Sequence, residues 1–299
     1  MPLVYEPCSA ALSAPLCEEY RGVQHAGAEE AVDRTLMTKK FIIVKPNCRE
    51  LANQLWNYLS IYAYGIETDT PVCNLSFFEW HQYFNLSEKK SRVPNMFLSL
   101  YGSYIVRLRA ECTLLTISEV TYLPPTRPLH AHAPQCDTTY FIGWLFRNPR
   151  GLERHRNELI SAFQPKKNIL KKIEAVLAPL RGKRLIGVHL RQQPYPGFED
   201  GSFLVSPARV RRIVDEYLSE RRLDAKEIAF ITVSDKYDVM NLFLLSKCSV
   251  VIGTNSTFSN LAAWFGNIPH IVATNEPTDW EYYRNKTTYF ENKYATFAQ

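Results

Sequence analysis

The apolar and polar positions along the chain follow two patterns, one typical of buried strands and one typical of helices. A run of strand-forming residues occupies 41–44, which predicts a strand close to the start of the folded part. After it, Leu51, Leu55 and Tyr58 share one face at helical spacing, which predicts a helix over 51–64.

The pattern becomes regular from residue 151 onward. It predicts helices over 151–163, 166–180, 207–222, 237–247 and 256–265, and strands over 184–190, 228–233, 249–253 and 268–273. Ser206 and Pro207 form an N-cap followed by a first-turn proline, which marks the start of one of these helices. Strands that alternate with helices at this spacing predict right-handed βαβ units and a parallel sheet, so the fold class is α/β.

The first half of the chain is less regular. Residues 138–144 predict a strand, whereas the Pro-, Phe- and Tyr-rich stretch 70–134 predicts no clear element. Residues 1–36 show no sustained period, and we expect a disordered and dispensable extension there. A chain of 299 residues has room for two further domains, which we place at 37–165 and 166–299.

Composition excludes several classes of protein. Apolar residues make up 46% of the chain and charged residues 22%, as in a soluble globular protein. The net charge of +5 comes without a dense Lys/Arg block, so we expect an anionic small ligand rather than nucleic acid. No run of about 18 apolar residues and no signal pattern occur, and the seven cysteines are scattered without a CxxC pair. We therefore expect no transmembrane segment and a cytoplasmic location, with peripheral association at a membrane as an alternative.

Polar side chains collect where three predicted strands end. The first strand end provides His189 and Arg191, the second Ser234 and Asp235, and the third Asn255, Ser256 and Thr257. Ligands of open parallel sheets bind beyond the carboxyl ends of the strands. An arginine suits phosphate oxygens, and a helix that starts at Asn255 offers backbone N–H groups and the positive end of its dipole. Together these residues predict a pyrophosphate site.

Each of these residues also has a structural interpretation. Ser256, Thr257 and Asp235 are residue types that cap helices, and His189 is equally suited to a hydrogen-bonded position in the core. Arg191 requires either an anion or a carboxylate partner, because its neighbours are apolar. The conjunction of these residues therefore supports the phosphate interpretation more than any one of them does.

Other candidate sites have less support. A metal site at His130, His132 and Cys136 is disfavoured, since the cluster stands alone in a Pro-rich stretch. Glu67 and Asp69 are interpreted as a solvated turn rather than a metal–diphosphate motif. The chain has no GxGxxG after its first strand and no GxxxxGK[ST], GxSxG or HExxH, which disfavours dehydrogenases, kinases, esterases and zinc proteases.

Several stretches of the chain resemble a known family. The block Gly187-Val188-His189-Leu190-Arg191, followed by Leu244 to Cys248, Ile252 to Ser259 and Ala263-Trp264, is similar to the conserved blocks of the α-1,2-fucosyltransferases, glycosyltransferase family 11. The family's pattern is a GVHIRRGDY block and then an LMSLC…NSTFSWWAAWL block. The stretch from Leu51 to Tyr58 also resembles the family's GGLGNQLFQY opening.

The resemblance implies a GT-B-like fold of two facing Rossmann-like domains with parallel sheets, in which the C-terminal domain binds the nucleotide. It implies that Arg191 is the catalytic residue and contacts the pyrophosphate of GDP-fucose, with Asn255, Ser256 and Thr257 in the loop and helix start beside it. Together with the strand-end residues His189, Ser234 and Asp235, and with Phe258, they form the predicted nucleotide-sugar site. Asn53 and Gln54 would lie on the acceptor side. The implied reaction transfers fucose or a related sugar to a glycan hydroxyl with inversion, as in a galactoside α-1,2-fucosyltransferase, and requires no metal or other cofactor.

The chain also departs from the family. Gln192 stands in place of the second arginine, Gln193-Pro194 replaces Gly-Asp, and Asn260-Leu261 replaces the paired tryptophans. Arg49-Glu50-Leu51-Ala52 stands where the opening loop is glycine-rich, which restricts a close backbone approach to a ligand. A non-catalytic protein that binds a nucleotide or glycan on the same scaffold therefore remains the alternative.

Overall fold

The computed structural model describes residues 40–44, 50–74, 77–86, 113–115, 121–123, 138–143, 145–191, 204–234 and 238–285. They belong to one compact unit, Thr38–Gln299. The predicted extension 1–36 and the candidate cluster of His130, His132 and Cys136 lie outside the described residues, as do Asp235, Gln192 and Pro194.

The first sheet is parallel and is formed by the N-terminal half of the chain. Its strands are β1 (Lys40–Val44), β2 (Val72–Asn74), β3 (Thr113–Leu115) and β5 (Thr138–Ile142), in the order β2-β1-β5-β3. A separate parallel pair is formed by β4 (Thr121–Tyr122) and β6 (Phe146–Arg147). Phe41 and Phe141 pack edge to face with ring centroids 5.4 Å apart, which ties the two central strands to one core.

The second sheet is also parallel and is formed by the C-terminal half. Its strands are β7 (Arg184–His189), β8 (Ile228–Val233), β9 (Val250–Thr254) and β10 (His270–Ala273), in the order β10-β9-β7-β8. All residues of β9 and β10 are buried, as expected for strands covered on both faces. The predicted α/β class with parallel sheets in a GT-B-like fold is therefore confirmed, whereas the domain boundary near residue 165 stays a prediction.

The described helices surround these sheets. They are α1 (Leu51–Glu67), α2 (Phe78–His81), α3 (Pro149–Arg154), α4 (Arg156–Ala162), α5 (Lys167–Leu177), α6 (Pro207–Glu220), α7 (Val239–Leu245), α8 (Thr257–Gly266) and α9 (Trp280–Asn285). Short 3₁₀ turns occupy Ala178–Leu180 and Ala225–Glu227. The predicted cap of α6 is confirmed, because the Ser206 hydroxyl accepts a hydrogen bond from the backbone N–H of Arg209 (3.1 Å).

Helix α1 lies in the interior of the molecule. Fourteen of its residues are buried, including the polar side chains of Asn53, Gln54, Asn57 and Ser60. The buried Asn57 amide donates to the Gly143 carbonyl (3.2 Å) and accepts from the Phe146 N–H (3.2 Å), so it fixes α1 against the end of the first sheet. A helix that is buried on nearly every side serves as a core element of the fold.

Two predictions on local structure were wrong. Residues 151–163 form two helices rather than one, because the chain turns at His155 between α3 and α4. Glu67 is not solvated: its side chain is 2% exposed, accepts a hydrogen bond from the Asn148 amide (2.9 Å) and pairs with Arg154 (3.4 Å). The carboxylate joins α1 to the start of α3, so its polar partners account for its burial.

Candidate functional site

The candidate site lies where β7 and β9 end side by side. In the parallel register, His189 is paired with Gly253. A Cβ atom at residue 253 would lie 2.3 Å from the His189 carbonyl oxygen, so only glycine permits this close approach of the strands. The ends of β7 and β9 therefore lie directly side by side.

Arg191 follows the end of β7 and is nearly buried. Its backbone N–H donates to the Thr254 hydroxyl at the end of β9 (3.3 Å), and its side chain is 11% exposed. The Nη2 atom of the guanidinium lies 2.9 Å from Oε1 of Glu50. The partner required by the apolar surroundings of Arg191 is thus a carboxylate supplied by the N-terminal half of the chain.

Glu50 stands at the N-cap position of α1 without capping the helix through its side chain. Its Oε2 atom accepts a hydrogen bond from the side-chain amide of Asn53 (3.1 Å), and the side chain as a whole is 40% exposed. Both carboxylate oxygens are therefore engaged, one by Arg191 and one by Asn53. Sequence reasoning missed Glu50, because nothing in its local pattern indicates a partner so far along the chain.

Ser256 caps helix α8 and belongs to a buried hydroxyl cluster. Its Oγ atom accepts from the Ser259 N–H (3.2 Å) and lies 3.1 Å from the Ser259 hydroxyl. The Ser259 hydroxyl also lies 3.3 Å from the Thr254 carbonyl, to which it can donate, and 2.5 Å from Nδ1 of His189. Ser256 is thus a cap, and its hydroxyl is turned toward the core.

His189 occupies the core position that was the alternative to ligand binding. The ring is fully buried and lies 5.2 Å, between centroids, from the ring of Phe258, which is itself 2% exposed. Thr257 contributes its backbone, since its carbonyl accepts from Nε1 of Trp56 on α1 (3.0 Å). These contacts position the start of α8 beside Arg191.

The remaining predicted residues are spread over the same edge. Ser234 is exposed just beyond β8, and Asn255 is half-buried between β9 and α8. Asn53 and Gln54 are buried on the first turn of α1, one turn from Glu50. The Oε1 atom of Gln54 is buried and has no hydrogen-bond partner among the described residues.

A second buried histidine lies behind this cluster. His270 on β10 is 3% exposed, and its Nδ1 atom lies 2.7 Å from Oδ1 of Asn260. Burial, and after it the charge of nearby His189, lower the pKa of His270 from 6.5 to about 3. His270 is therefore neutral at physiological pH, which places it in the structural support of the site.

Within the described ranges, no three or more His, Cys, Asp or Glu side chains are grouped so that they could hold a metal ion. Among the same residues, no helix has the length and apolar character needed to cross a membrane.

Comparison with protein-family models gives no match, and comparison with curated proteins gives none either. Solved structures do match. A mutant of FUT1 from Arabidopsis thaliana in complex with GDP is similar with a TM-score of 0.51 and 11% identity, over 81% of this chain and 73% of that chain. Fucosyltransferase NodZ from Bradyrhizobium matches with a TM-score of 0.47 and 14% identity, over 75% of this chain and 93% of that chain. POFUT1 in complex with GDP matches with a TM-score of 0.42 and 12% identity, over 78% and 97% of the two chains. At these identities the similarity to FUT1 concerns the fold.

Proposed function

We propose that the chain is a glycosyltransferase of the fucosyltransferase type, which transfers fucose or a related sugar from a GDP-sugar to a glycan hydroxyl. The observation that supports this most is the position of Arg191. It lies directly beyond the end of β7, is nearly buried, and is paired with an anionic group. That edge of a parallel sheet is where such folds bind phosphorylated ligands.

The sequence blocks and the fold support the same proposal. The blocks around Arg191 and Asn255 resemble those of the α-1,2-fucosyltransferases, and a galactoside α-1,2-fucosyltransferase is the finer form of the proposal. The fold is similar to that of FUT1 from Arabidopsis thaliana, whose structure is a complex with GDP. GDP is therefore the nucleotide to test first.

In the proposed reaction, the acceptor oxygen forms a bond to the anomeric carbon of the sugar while the bond from that carbon to the diphosphate breaks. The bonding electrons leave with GDP, the acceptor hydroxyl gives its proton to water, and the configuration is inverted. Arg191 would stabilise the negative charge that grows on the leaving diphosphate, helped by the positive end of the α8 dipole. We propose that this charge stabilisation makes a metal unnecessary.

On the acceptor side, we propose a role for Asn53 and Gln54. Both lie on the first turn of α1, beside the residue that pairs with Arg191, and their amides could exchange hydrogen bonds with the hydroxyl groups of a glycan. We also propose a cytoplasmic location, with peripheral membrane association as the alternative, on the basis of the scattered cysteines.

A second candidate function is a protein that binds a nucleotide or glycan without turnover. The Glu50–Arg191 pair favours it, because the carboxylate neutralises the charge that the reaction needs. Gln192 and Pro194 support it as well, since they replace a second arginine and part of a Gly-Asp pair. Donor turnover separates the two candidates.

The first experiment is a thermal-shift panel with GDP, UDP, CMP and ADP on the full chain and on Arg191→Ala. We expect a rise in Tm with GDP alone, because binding to the native state stabilises it, and loss of that rise in Arg191→Ala. Arg284→Ala, which removes an exposed arginine paired with Glu220, should keep the response. Absence of a shift with every nucleotide would contradict the proposal.

Incubation with GDP-fucose and a panel of glycans then measures transfer and donor hydrolysis. Product formation supports the transferase. GDP binding without transfer or hydrolysis supports the binding protein instead.

A further inference from the structure

We propose that Glu50 is a built-in competitor of the donor: its carboxylate occupies Arg191 in the free protein, and the diphosphate of the donor must displace it. The inference rests on the proposed function, in which Arg191 binds that diphosphate. It goes further because it assigns a role to a residue that the family resemblance does not explain.

The atom that Glu50 contacts is the one that a phosphate needs. A guanidinium makes bidentate contacts through either of two edges, and Nη2 belongs to both. Oε1 of Glu50 lies 2.9 Å from Nη2 and therefore occupies at least one of these edges. A diphosphate that seeks a bidentate contact on that edge meets the carboxylate there, at a distance where like charges repel.

Glu50 competes from a fixed position in the same chain. It sits at the N-cap of α1, and Asn53 on the next turn holds its second oxygen. A carboxylate tethered to the same chain acts at an effective concentration of roughly millimolar, and this value does not fall when the protein is diluted. Any ligand that uses the same edge of Arg191 must therefore overcome this local carboxylate, whereas a ligand part that does not touch Arg191 is unaffected.

The carboxylate can leave without being buried as an unpaired charge. Its side chain is 40% exposed, so water is able to solvate it after displacement, whereas the 11% exposed guanidinium requires a replacement anion. The exchange of one anion for another keeps Arg191 paired throughout. The asymmetry in exposure thus fits Glu50 as the group that moves and Arg191 as the group that stays.

Glu50 is also a departure from the sequence pattern of the resembling family. Glu50 stands in the segment Arg49-Glu50-Leu51-Ala52, where the resembling family has a glycine-rich loop with no side chain to offer. A glycine at this place would remove that carboxylate from Nη2 of Arg191. We therefore infer that the substitution lowers donor affinity and restricts the site to ligands that bind strongly enough to displace a carboxylate.

The test is isothermal titration of GDP and, separately, guanosine into the full chain, Glu50→Gln and Glu220→Gln. Glutamine keeps the shape of the side chain but removes its charge, so we expect GDP to bind Glu50→Gln about threefold to tenfold more tightly than the natural chain. Guanosine, which has no phosphate, should bind both equally. Glu220→Gln breaks a more exposed ion pair, between Glu220 on α6 and Arg284 on α9 (3.0 Å), and should change nothing.

Glu50→Asp provides a second variant if Glu50→Gln fails to fold. Aspartate keeps the charge but is one methylene shorter, so the contact to Nη2 weakens and GDP should bind more tightly by a smaller factor. Equal or weaker GDP binding by the folded variants, with measurable binding by the natural chain, would overturn the inference and leave the proposed function standing. Absence of GDP binding by the natural chain and by both variants would overturn the proposed function and the inference together.

Discussion

The indole rings of Trp56 and Trp264 pack against each other with their centroids 5.8 Å apart, and this contact joins helix α1 to helix α8. Both side chains are fully buried. Trp56 also donates its Nε1–H to the Thr257 carbonyl at the start of α8 (3.0 Å). One tryptophan of the N-terminal half therefore helps to fix the helix that begins beside Arg191.

Replacement of Trp56 tests this contact. Trp56→Ala should lower the free energy of unfolding by about 3–5 kcal/mol, because it removes a large buried side chain and leaves a cavity. Trp56→Phe keeps an aromatic ring but loses the hydrogen bond to Thr257, so its effect should be smaller. Urea unfolding measures both, with Phe230→Ala as the control, since Phe230 is 47% exposed and its loss should cost less than about 0.5 kcal/mol. A Trp56→Ala value as small as that of Phe230→Ala would contradict the assigned packing.

The two serine caps of the C-terminal half allow a matched comparison. Ser206 caps α6 at an exposed position, whereas Ser256 caps α8 and is 3% exposed. Ser206→Ala should cost about 1 kcal/mol, the usual value for a lost cap. Ser256→Ala should cost more, up to about 3 kcal/mol, because the buried Ser259 N–H then lacks its acceptor and the hydroxyl cluster around His189 is broken. Chemical denaturation of both variants measures the two losses in the free energy of unfolding. Equal losses would show that burial of the Ser256 cluster does not contribute to stability.

Much of the second sheet could be predicted from the sequence, because its strands are continuous apolar runs that end in polar residues. The sequence predicts the start of α8 one or two residues too early, because Asn255 and Ser256 are both suitable cap residues. Only the observed bond from the Ser259 N–H identifies Ser256 as the cap. The turn at His155 was missed because the apolar period continues through it.

The contacts that shape the candidate site could not be predicted in the same way. Glu50 and Arg191 are 141 residues apart, and their contact depends on how α1 packs against the end of the second sheet. Glu67 carries a charge that local pattern assigns to solvent, yet Asn148 and Arg154 from another part of the chain bury it. A pairing between distant polar residues leaves no periodic trace in the sequence, so it appears only once the fold is known.

The buried pair of histidines predicts how stability depends on pH. The pKa of His270 is lowered to about 3 in the folded protein and is 6.5 otherwise, so the unfolded chain binds the extra proton between these values. The contribution of His270 to stability is therefore fully present above pH 6.5 and is lost as the pH falls from 6.5 toward 3, by up to about 1.4 kcal/mol per pH unit.

Urea unfolding of the natural chain and of His270→Gln at pH 7.5, 6.5 and 5.5 measures this contribution, since titrations common to both proteins cancel in the difference. Glutamine does not titrate in this range and can still donate toward Oδ1 of Asn260. We expect the natural chain to lose stability faster than His270→Gln below pH 6.5. Parallel pH dependences would contradict the lowered pKa.

Arg156 closes the other end of α8 and yields the last prediction. Its Nε and Nη2 atoms donate to the Trp264 carbonyl (3.1 and 2.8 Å), and Nη2 also donates to the Phe265 carbonyl (3.0 Å). These carbonyls lie in the last turn of α8, where the Trp264 carbonyl also accepts from the backbone N–H of Asn267 (3.3 Å), and a positive charge there favours the helix dipole. Lysine keeps the charge but cannot reproduce the paired contacts of Nε and Nη2, the fork of the guanidinium. Arg156→Lys should therefore cost about 1–2 kcal/mol in the free energy of unfolding. Arg284→Lys, at an arginine whose side chain is 58% exposed, should cost less than about 0.5 kcal/mol. If both variants unfold at the same denaturant concentration as the natural chain, the fork of Arg156 does not stabilise α8.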